Sequence, residues 1–269
     1  MRYCRFLFEG RTHYGKVEER AGELWIVDLA EAPEEDLAFR LEHGRATSWS
    51  FDFEPMPLAG ADLLPPVTPS KIVCVGRNYR EHAQELGNEI PAEPLLFFKP
   101  PSSLLKPSGV VRLPRLSERV DYEGELALVI GKRVRNLAAV DWRTVVRGFT
   151  LANDISARDL QKRDGQWTRA KGFDTFCPVG PLVSDELDFD AGLTIETRVN
   201  GEVRQHGTTL DFIFPAPQVL AAITAAMTLE PGDLVLTGTP AGVGPLKVGD
   251  RVEVSVAGLG VLANTVEAE

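Results

Sequence analysis

The sequence contains little cysteine and no long apolar run. Its three cysteines, Cys4, Cys74 and Cys177, are far apart and form no CxxC pair, so neither a disulfide framework nor a zinc site is expected, and a reducing cytoplasm is the expected location. No apolar run is long enough to span a bilayer. The opening residues, MRYCRFLFEG, lack the apolar core and the cleavage site of a signal peptide. We therefore expect neither a transmembrane helix nor a secretion signal.

Positive charge is also scarce. The 29 Lys and Arg residues stand against 39 Asp and Glu residues, which gives a formal net charge of −10 at pH 7. A chain this acidic is a poor general binder of nucleic acid or of an anionic membrane, so neither is expected as a partner. An anionic substrate would need a local positive pocket, built against the field of the whole protein.

Several common enzyme motifs are missing or incomplete. The sequence contains no G-x-S-x-G nucleophile motif and no H-E-x-x-H zinc motif. Residues 10–16, GRTHYGK, have the spacing of a phosphate-binding P-loop, but Val17 stands where a Ser or Thr would hold magnesium. The context predicts a β-hairpin instead. The glycine-rich segment 238–244, GTPAGVG, is either a tight turn or a ligand-facing loop.

The order of predicted elements indicates a mixed α/β fold that is mainly β. Residues 1–65 are predicted to form a small β domain that ends in a proline-rich connector, and residues 66–269 a larger domain. In the larger part we expect a short helix from about Asn78 to Gly87 and a hairpin with a type I′ turn at Asn200-Gly201. A further helix is expected in PQVLAAITAAMTL. Strands and helices do not alternate regularly, which argues against a doubly wound fold.

Carboxylates stand at the start of one predicted strand and at the end of another. In DYEGELALVI, Glu123 and Glu125 share a strand face, and Asp154 follows the apolar stretch GFTLAN. For the two glutamates alone, a solvated strand face is an equal alternative. Three gathered carboxylates would repel each other unless a cation lay among them, and such all-oxygen sites select Mg²⁺, Mn²⁺ or Ca²⁺. Asp121, which has the same strand parity, and Asp159 are alternative ligands.

A histidine and two lysines are candidates for chemistry. His82 and Glu85 are three residues apart on a predicted helix, so the carboxylate can orient the imidazole as a general base. The alternative is a surface His beside a Glu. Lys99 and Lys171 lie among aromatic and small residues, where a lysine either binds an anion or only passes its stem over apolar surface. The Arg and Tyr of GRNY are equally ambiguous.

Taken together, these segments resemble the fumarylacetoacetate hydrolase family. The resemblance rests on IVCVGRNYREHAQELG, PLLFFKP, DYEGELALVIGK, GFTLANDISARDLQ, WTRAKGFDTFCPVGP and LVLTGTPAGVGPL, in that order, from about residue 70 to the end. It is strongest for the compact branch of acylpyruvate hydrolases, oxaloacetate decarboxylases and hydroxyheptadienedioate isomerases. It implies an irregular mixed β-roll, usually a homodimer, preceded by a small β domain.

The resemblance also implies a role for individual residues. Glu123, Glu125 and Asp154 correspond to the family's metal ligands, usually for magnesium. The catalytic residues correspond to His82, Glu85 and Lys171. The substrate-binding residues correspond to Arg77, Tyr79, Lys99, Gln161 and Thr239.

The implied substrates are short anionic 2-oxo or 1,3-dicarbonyl acids that react through an enolate stabilised by the metal ion. Hydrolysis of a C–C bond in an acylpyruvate is the favoured reaction, and a role in aromatic catabolism is the corresponding expectation. Enol–keto isomerisation and oxaloacetate decarboxylation are the alternatives, as is a protein that binds small acids without turnover. The segment from Arg77–Tyr79 to Glu85 is predicted to form a mobile lid.

Overall fold

Strands dominate the computed structural model of the chain, which describes residues 1–33, 36, 53–85, 87 and 89–269. Within these residues the strands are β1 (Arg2–Phe8), β2 (Arg11–Arg20), β3 (Glu23–Ala30), β4 (Met56–Pro57), β5 (Asp62–Leu64), β6 (Ile72–Gly76), β7 (Leu95–Lys99), β8 (Leu104–Leu105), β9 (Val110–Leu113), β10 (Val120–Tyr122), β11 (Gly124–Ile130), β12 (Val146–Asn153), β13 (Ser156–Ala157), β14 (Cys177–Ser184), β15 (Thr194–Val199), β16 (Glu202–Thr208), β17 (Leu234–Leu236), β18 (Gly244–Pro245), β19 (Arg251–Val256) and β20 (Gly260–Ala268).

Helices are few and short over the same residues. The α-helices are α1 (Arg80–Glu85), α2 (Arg158–Asp164), α3 (Thr168–Gly172) and α4 (Ala216–Ala226). Single 3₁₀ turns are formed by Leu58–Gly60, Pro101–Ser103, Ala139–Thr144 and Thr209–Asp211. The predicted mixed, mainly β fold with few helices is confirmed. No helix of the described chain is long and apolar enough to cross a membrane.

One large sheet carries the strands on which the candidate site is built. Its order is β4-β3-β2-β1-β14-β12-β11-β17-β6-β7, with β5 beside β1 and β8 beside β14. β11 is buried along its whole length, between β12 and β17. Its side chains alternate between two hydrophobic clusters, with Leu126 and Leu128 in one and Ala127 and Val129 in the other. Packing on both faces holds β11, and the residues at its start, in a defined position.

The single strand predicted for residues 121–131 is divided at Glu123. β10 belongs to a three-stranded sheet of order β13-β10-β18, whereas β11 belongs to the large sheet. At the junction, the Glu123 N–H donates to the Asn153 side-chain oxygen at 2.9 Å. The prediction of one continuous strand is therefore wrong, because a side chain accepts the hydrogen bond and the backbone changes sheets. A third sheet has the order β16-β15-β19-β20-β9.

The N-terminal strands join the large sheet. β1 pairs antiparallel with β14, and β5 pairs with β1. Part of the predicted first domain lies outside the described residues, and its boundary at residue 65 stays a prediction. The hairpin predicted in place of a P-loop is confirmed, because β1 and β2 are adjacent antiparallel strands joined at Glu9 and Gly10.

Local turn signals were predicted well. Asn200 and Gly201 have φ values of 54° and 81° between β15 and β16, as a type I′ turn requires. Gly87 has a φ of 67° and follows α1, so the predicted helix end is confirmed. The apolar segment near the C-terminal third forms α4, which ends before Met227.

Candidate active site

Three carboxylates meet where β11 begins and β12 ends. The antiparallel register pairs Gly124 with Asn153. Glu123 and Glu125 are the chain neighbours of Gly124, and Asp154 follows Asn153, so all three carboxylates lie at this pair. The Asp154 N–H donates to the Glu123 carbonyl oxygen at 2.8 Å. One oxygen of each carboxylate lies within 4.8 Å of the others, and all three residues are buried. Sequence reasoning placed these carboxylates together, and the strand register shows how they are held.

Two buried lysines contact this carboxylate cluster. Lys171 of α3 donates through Nζ to Glu123 Oε2 at 2.7 Å and to Asp154 Oδ2 at 2.6 Å. Lys99, at the end of β7, donates to Asp154 Oδ1 at 2.7 Å and to the Ile155 carbonyl oxygen at 3.1 Å. Both ammonium groups are desolvated, so their Coulombic attraction to the carboxylates is stronger than it would be in water.

The charges act differently on the two glutamates. Burial raises the pKa of Glu123, but the charges of Arg158 and Lys171 outweigh burial and leave that pKa below its usual range. Burial also raises the pKa of Glu125, and the negative charges of Asp154 and Glu123 raise it further. Glu125 accepts a hydrogen bond from the Gly238 N–H at 2.7 Å. A cation beside Glu125 would therefore favour its ionised form.

The cluster fits a divalent cation. Its donors are all carboxylate oxygens, which are the ligands that hard ions such as Mg²⁺, Mn²⁺ and Ca²⁺ prefer. Burial and the neighbouring negative charges both disfavour ionised Glu125, and a bound cation would offset these effects. Glu123, Glu125 and Asp154 are thus the residues able to hold such an ion in the described chain.

The histidine lies between the carboxylate cluster and its own helix partner. His82 Nε2 is 3.9 Å from Glu123 Oε1, and His82 Nδ1 is 3.5 Å from Glu85 Oε2. Burial lowers the pKa of His82 below its ordinary value, although Glu123 and Glu85 oppose the shift. A neutral imidazole at pH 7 can accept a proton. The Glu85 carboxylate also accepts from the Gly242 N–H at 3.1 and 3.2 Å, so segment 238–244 supports the pair.

A cavity of about 440 Å³ opens onto these groups. Its lining consists of Val75, Gly76, Arg77, His82, Phe97, Glu123, Glu125, Asp154, Arg158, Gln161, Lys162, Trp167, Lys171 and Thr239. Of the predicted substrate-binding residues, Arg77, Gln161 and Thr239 are in this lining. The Thr239 hydroxyl already donates to the Gly124 carbonyl at 2.8 Å and accepts from Gln205 at 2.7 Å.

The other two predicted substrate-binding residues are deeply buried. Tyr79 is 2% exposed, and its ring packs edge-on against Phe212 with 5.0 Å between centroids. Its hydroxyl makes no hydrogen bond within the described residues. Lys99 is 1% exposed and contacts Asp154 as described above. The geometry thus places Lys99 beside a carboxylate of the cluster, and a role in substrate binding for either residue stays a prediction.

The two alternative carboxylates are engaged elsewhere. Asp121 is fully buried and paired with Arg119 and Arg158. Asp159 accepts a hydrogen bond from the Ser117 hydroxyl. Neither belongs to the group of carboxylates that could share an ion in the described chain.

Sequence reasoning missed several residues of the site, including Lys162, which lines the cavity. Arg158 lines the cavity and donates to Glu123 and to Gln161; its i, i+3 spacing to Gln161 was the available signal. Trp167 lines the cavity and packs edge-on against Phe97. Gln205 is fully buried and links the Gly124 N–H to Thr239. No local pattern identifies Gln205, because its partners are far away in the sequence.

Comparison with known proteins gives consistent results. Residues 71–267 match the family model described as fumarylacetoacetate (FAA) hydrolase, C-terminal. The mitochondrial oxaloacetate tautomerase of Homo sapiens is 43% identical over 244 residues, which cover 84% of this chain and 78% of that protein. The 2-hydroxyhepta-2,4-diene-1,7-dioate isomerase of Mycobacterium marinum is 40% identical, with a TM-score of 0.84 over 100% of this chain and 99% of that chain.

A metal-bound structure is also similar to the chain. It is the fumarylpyruvate hydrolase of Pseudomonas aeruginosa in complex with Mn²⁺ and pyruvate. The identity is 33% and the TM-score is 0.71, and the match covers 78% of this chain and 94% of that chain.

Proposed function

Because the chain belongs to the fumarylacetoacetate hydrolase family, we propose that it hydrolyses a C–C bond in short acylpyruvate-type 2-oxo acids with the help of a divalent ion. The observation that carries this proposal is the position of His82. Its Nε2 faces the carboxylate cluster at 3.9 Å from Glu123, and its Nδ1 faces Glu85. A base oriented in this way beside a cation site is suited to activate water.

The proposed ion is Mg²⁺, held by Glu123, Glu125 and Asp154, and Mn²⁺ or Ca²⁺ would suit the same oxygen donors. The Mn²⁺ in the Pseudomonas aeruginosa neighbour supports a divalent ion in this family. When bound, the ion supplies a Lewis acid that polarises the oxo group and stabilises enolate charge.

The side chains of this protein would supply the proton transfers. We infer that neutral His82 takes a proton from water at Nε2, while Glu85 orients the ring and stabilises the imidazolium. The water oxygen bonds to the distal carbonyl carbon, and the C–C bond then breaks, with its electron pair remaining on the pyruvate fragment as an enolate. His82 returns its proton to that fragment. Lys171, whose pKa is kept high by Asp154 and Glu123 despite burial, adds positive charge beside the enolate.

The cavity suits a small anionic substrate. Arg77 and Lys162 bring positive charge to its lining, and Gln161 brings a polar amide. This local positive charge offsets the repulsion that the formal net charge of −10 would exert on an anionic substrate. We also propose a cytoplasmic homodimer, supported by the family resemblance and by the cysteine usage. Light scattering of the purified protein would test the dimer.

Enol–keto tautomerisation is the second candidate. It is favoured by the 43% identity to a mitochondrial oxaloacetate tautomerase and by the 40% identity to a heptadienedioate isomerase. His82 could move a proton between carbon and oxygen of the substrate without any attacking water. Decarboxylation of oxaloacetate would use the same enolate.

A substrate panel separates the candidates. Purified protein with saturating MgCl₂ is assayed for pyruvate release from acetylpyruvate and fumarylpyruvate, and in parallel for loss of enol absorbance and for CO₂ release from oxaloacetate. Hydrolysis predicts pyruvate release that EDTA abolishes. Loss of enol absorbance without pyruvate release would replace the hydrolase proposal with the tautomerase. Inactivity on every substrate, with metal binding retained, would favour a binding protein.

A further inference from the structure

Asp121 is a buried carboxylate that the proposed chemistry does not use. It lies in β10 with no exposed surface, and it accepts hydrogen bonds from two arginines. Arg119 donates from Nε at 2.9 Å and from Nη2 at 3.1 Å, and Arg158 donates from Nε at 2.9 Å. Burying a carboxylate costs free energy even when it is paired. The Arg119 side chain is 54% exposed and could pair with a carboxylate at the surface. Pairing with Arg119 therefore does not explain why Asp121 is buried.

The second arginine connects Asp121 to the candidate active site. The Arg158 side chain is 12% exposed. Its Nη1 donates to Gln161 Oε1 at 3.0 Å, and its Nη2 donates to Glu123 Oε1. The guanidinium group is planar and rigid, so a partner at Nε determines where both Nη atoms point. The backbone strengthens this arrangement, because the Arg158 N–H donates to the Arg119 carbonyl oxygen at 2.8 Å.

We propose that Asp121 is a positioning residue that acts through Arg158 on the proposed cation site. It orients the guanidinium so that Nη1 meets Gln161 and Nη2 meets Glu123. It also shares the positive charge of Arg158, so that Arg158 competes less strongly with a divalent ion for the Glu123 oxygens. This role rests on the proposed function, since it concerns the same carboxylate cluster.

Charge sharing matters because Glu123 already contacts another cation. Its Oε2 accepts from Lys171 at 2.7 Å, while its Oε1 accepts from Arg158. Without a negative charge at residue 121, Arg158 would be balanced by Glu123 alone. It would then compete with a divalent ion for the Glu123 oxygens. Partners that orient the ligands of a metal site typically change metal affinity or activity by about 10–100-fold when they are mutated.

Direct Mn²⁺ binding tests this role without relying on an assay of activity. Metal-free protein is titrated with MnCl₂ in a calorimeter for wild type, Asp121→Asn and the control Arg119→Gln. Asp121→Asn is expected to bind Mn²⁺ about 10–100-fold more weakly, and Arg119→Gln as tightly as wild type. Melting temperatures of the metal-free proteins separate loss of affinity from loss of folding. Wild-type affinity in a folded Asp121→Asn protein would overturn the proposal.

A double-mutant cycle tests whether the effect passes through Arg158. Asp121→Asn is expected to weaken Mn²⁺ binding much less in an Arg158→Gln background than in wild type. Equal fold-changes in the two backgrounds would show that Asp121 acts independently and would overturn the proposal. If Asp121→Asn does not fold, Asp121→Glu tests the positioning, because it keeps the charge but moves it by one methylene. A folded Asp121→Glu protein is expected to bind Mn²⁺ more weakly than wild type, and wild-type affinity would overturn the positioning role. Absence of Mn²⁺ binding by wild type would instead refute the cation site itself, and Asp121's role with it.

Discussion

At the scale of single residues, a substitution at His82 would separate the proposed water activation from cation binding. We predict that His82→Asn lowers acylpyruvate cleavage by about 10²–10⁴-fold, the usual contribution of general acid–base catalysis. Mn²⁺ affinity should be preserved, since the three carboxylates remain. Glu85→Gln should cause a smaller loss, because it leaves the imidazole in place. Rates of pyruvate release and calorimetric Mn²⁺ titrations measure both effects.

Oxaloacetate decarboxylation is the internal control for this prediction. It needs no attacking water, so it should be much less sensitive to either substitution. A His82→Asn protein that cleaves acylpyruvates at the wild-type rate would contradict the hydrolytic mechanism and favour the isomerase.

Glu125 is the carboxylate of the cluster whose pKa is raised by burial and by the charges of Asp154 and Glu123. We predict that Glu125→Gln removes most of the stabilisation that MgCl₂ gives to the wild type, because one carboxylate donor is lost. For wild type, Mg²⁺ at about 100 times its dissociation constant should add roughly 2.7 kcal/mol to the free energy of unfolding. Urea denaturation with MgCl₂ or with EDTA measures the difference. Asp159→Asn is the matched control, and the prediction fails if Glu125→Gln responds to Mg²⁺ as Asp159→Asn does.

At the scale of elements, the proposed lid is the segment from Arg77 to Glu85, which contains α1. The segment carries His82 towards the cavity and is held to segment 238–244 through Glu85. A lid that closes over substrate should protect its amides. We predict that hydrogen exchange across residues 78–90 slows when oxalate and Mg²⁺ bind together. Mass-spectrometric exchange measures this, with α4 as an internal reference, and unchanged exchange in 78–90 would argue against a lid.

Gly242 is where the backbone of segment 238–244 has no room for a side chain. Its φ is +100°, and a Cβ would lie 2.0 Å from the Arg204 carbonyl oxygen. We predict that Gly242→Ala shifts the segment, weakens the Glu85 contact and speeds hydrogen exchange in α1. The control is Gly249→Ala, which has a φ of +90° but open space around the new Cβ. If both variants leave α1 exchange at the wild-type rate, Gly242 does not support the lid.

At the scale of the whole molecule, Asp233 joins the residues just before β6 to the large sheet. Its Oδ1 accepts from Ser70 Oγ at 2.7 Å and from the Lys71 N–H at 3.0 Å, and its Oδ2 accepts from the Glu230 N–H at 2.8 Å. The Ser70 N–H, at 3.1 Å from Oδ1, and the Lys71 ammonium also contact Asp233, which is fully buried. These contacts secure the start of β6 beside β17, where the two strands run parallel.

We predict that Asp233→Ala lowers the free energy of unfolding by about 3–5 kcal/mol, the range for breaking a buried pair by removing one partner. The control is Asp62→Ala, which removes an exposed ion pair with Lys106 that should contribute at most about 1 kcal/mol. Urea unfolding of both variants measures the difference. Equal losses for the two variants would mean that Asp233 has no special anchoring role.

Much of this fold could be predicted from local patterns. The Asn200-Gly201 turn, the helix end at Gly87 and the buried strand β11 follow from the conformational preferences and periodicity of neighbouring residues. The division of residues 121–131 at Glu123 could not be predicted in the same way. It depends on Asn153, a residue thirty positions away, accepting the hydrogen bond that would otherwise continue a strand.

By itself, the sequence determined which groups could meet, through spacings that act over a few residues. His82 and Glu85 are three residues apart and therefore share a helix face. Glu123 and Glu125 are two residues apart, which keeps their carboxylates close along the chain. The tertiary structure alone decided that Asp121 pairs with Arg158 and that Lys99 contacts Asp154. Those outcomes depend on the pairing of distant strands and on the balance between burial and charge. That balance exists only once the chain has folded around the carboxylates.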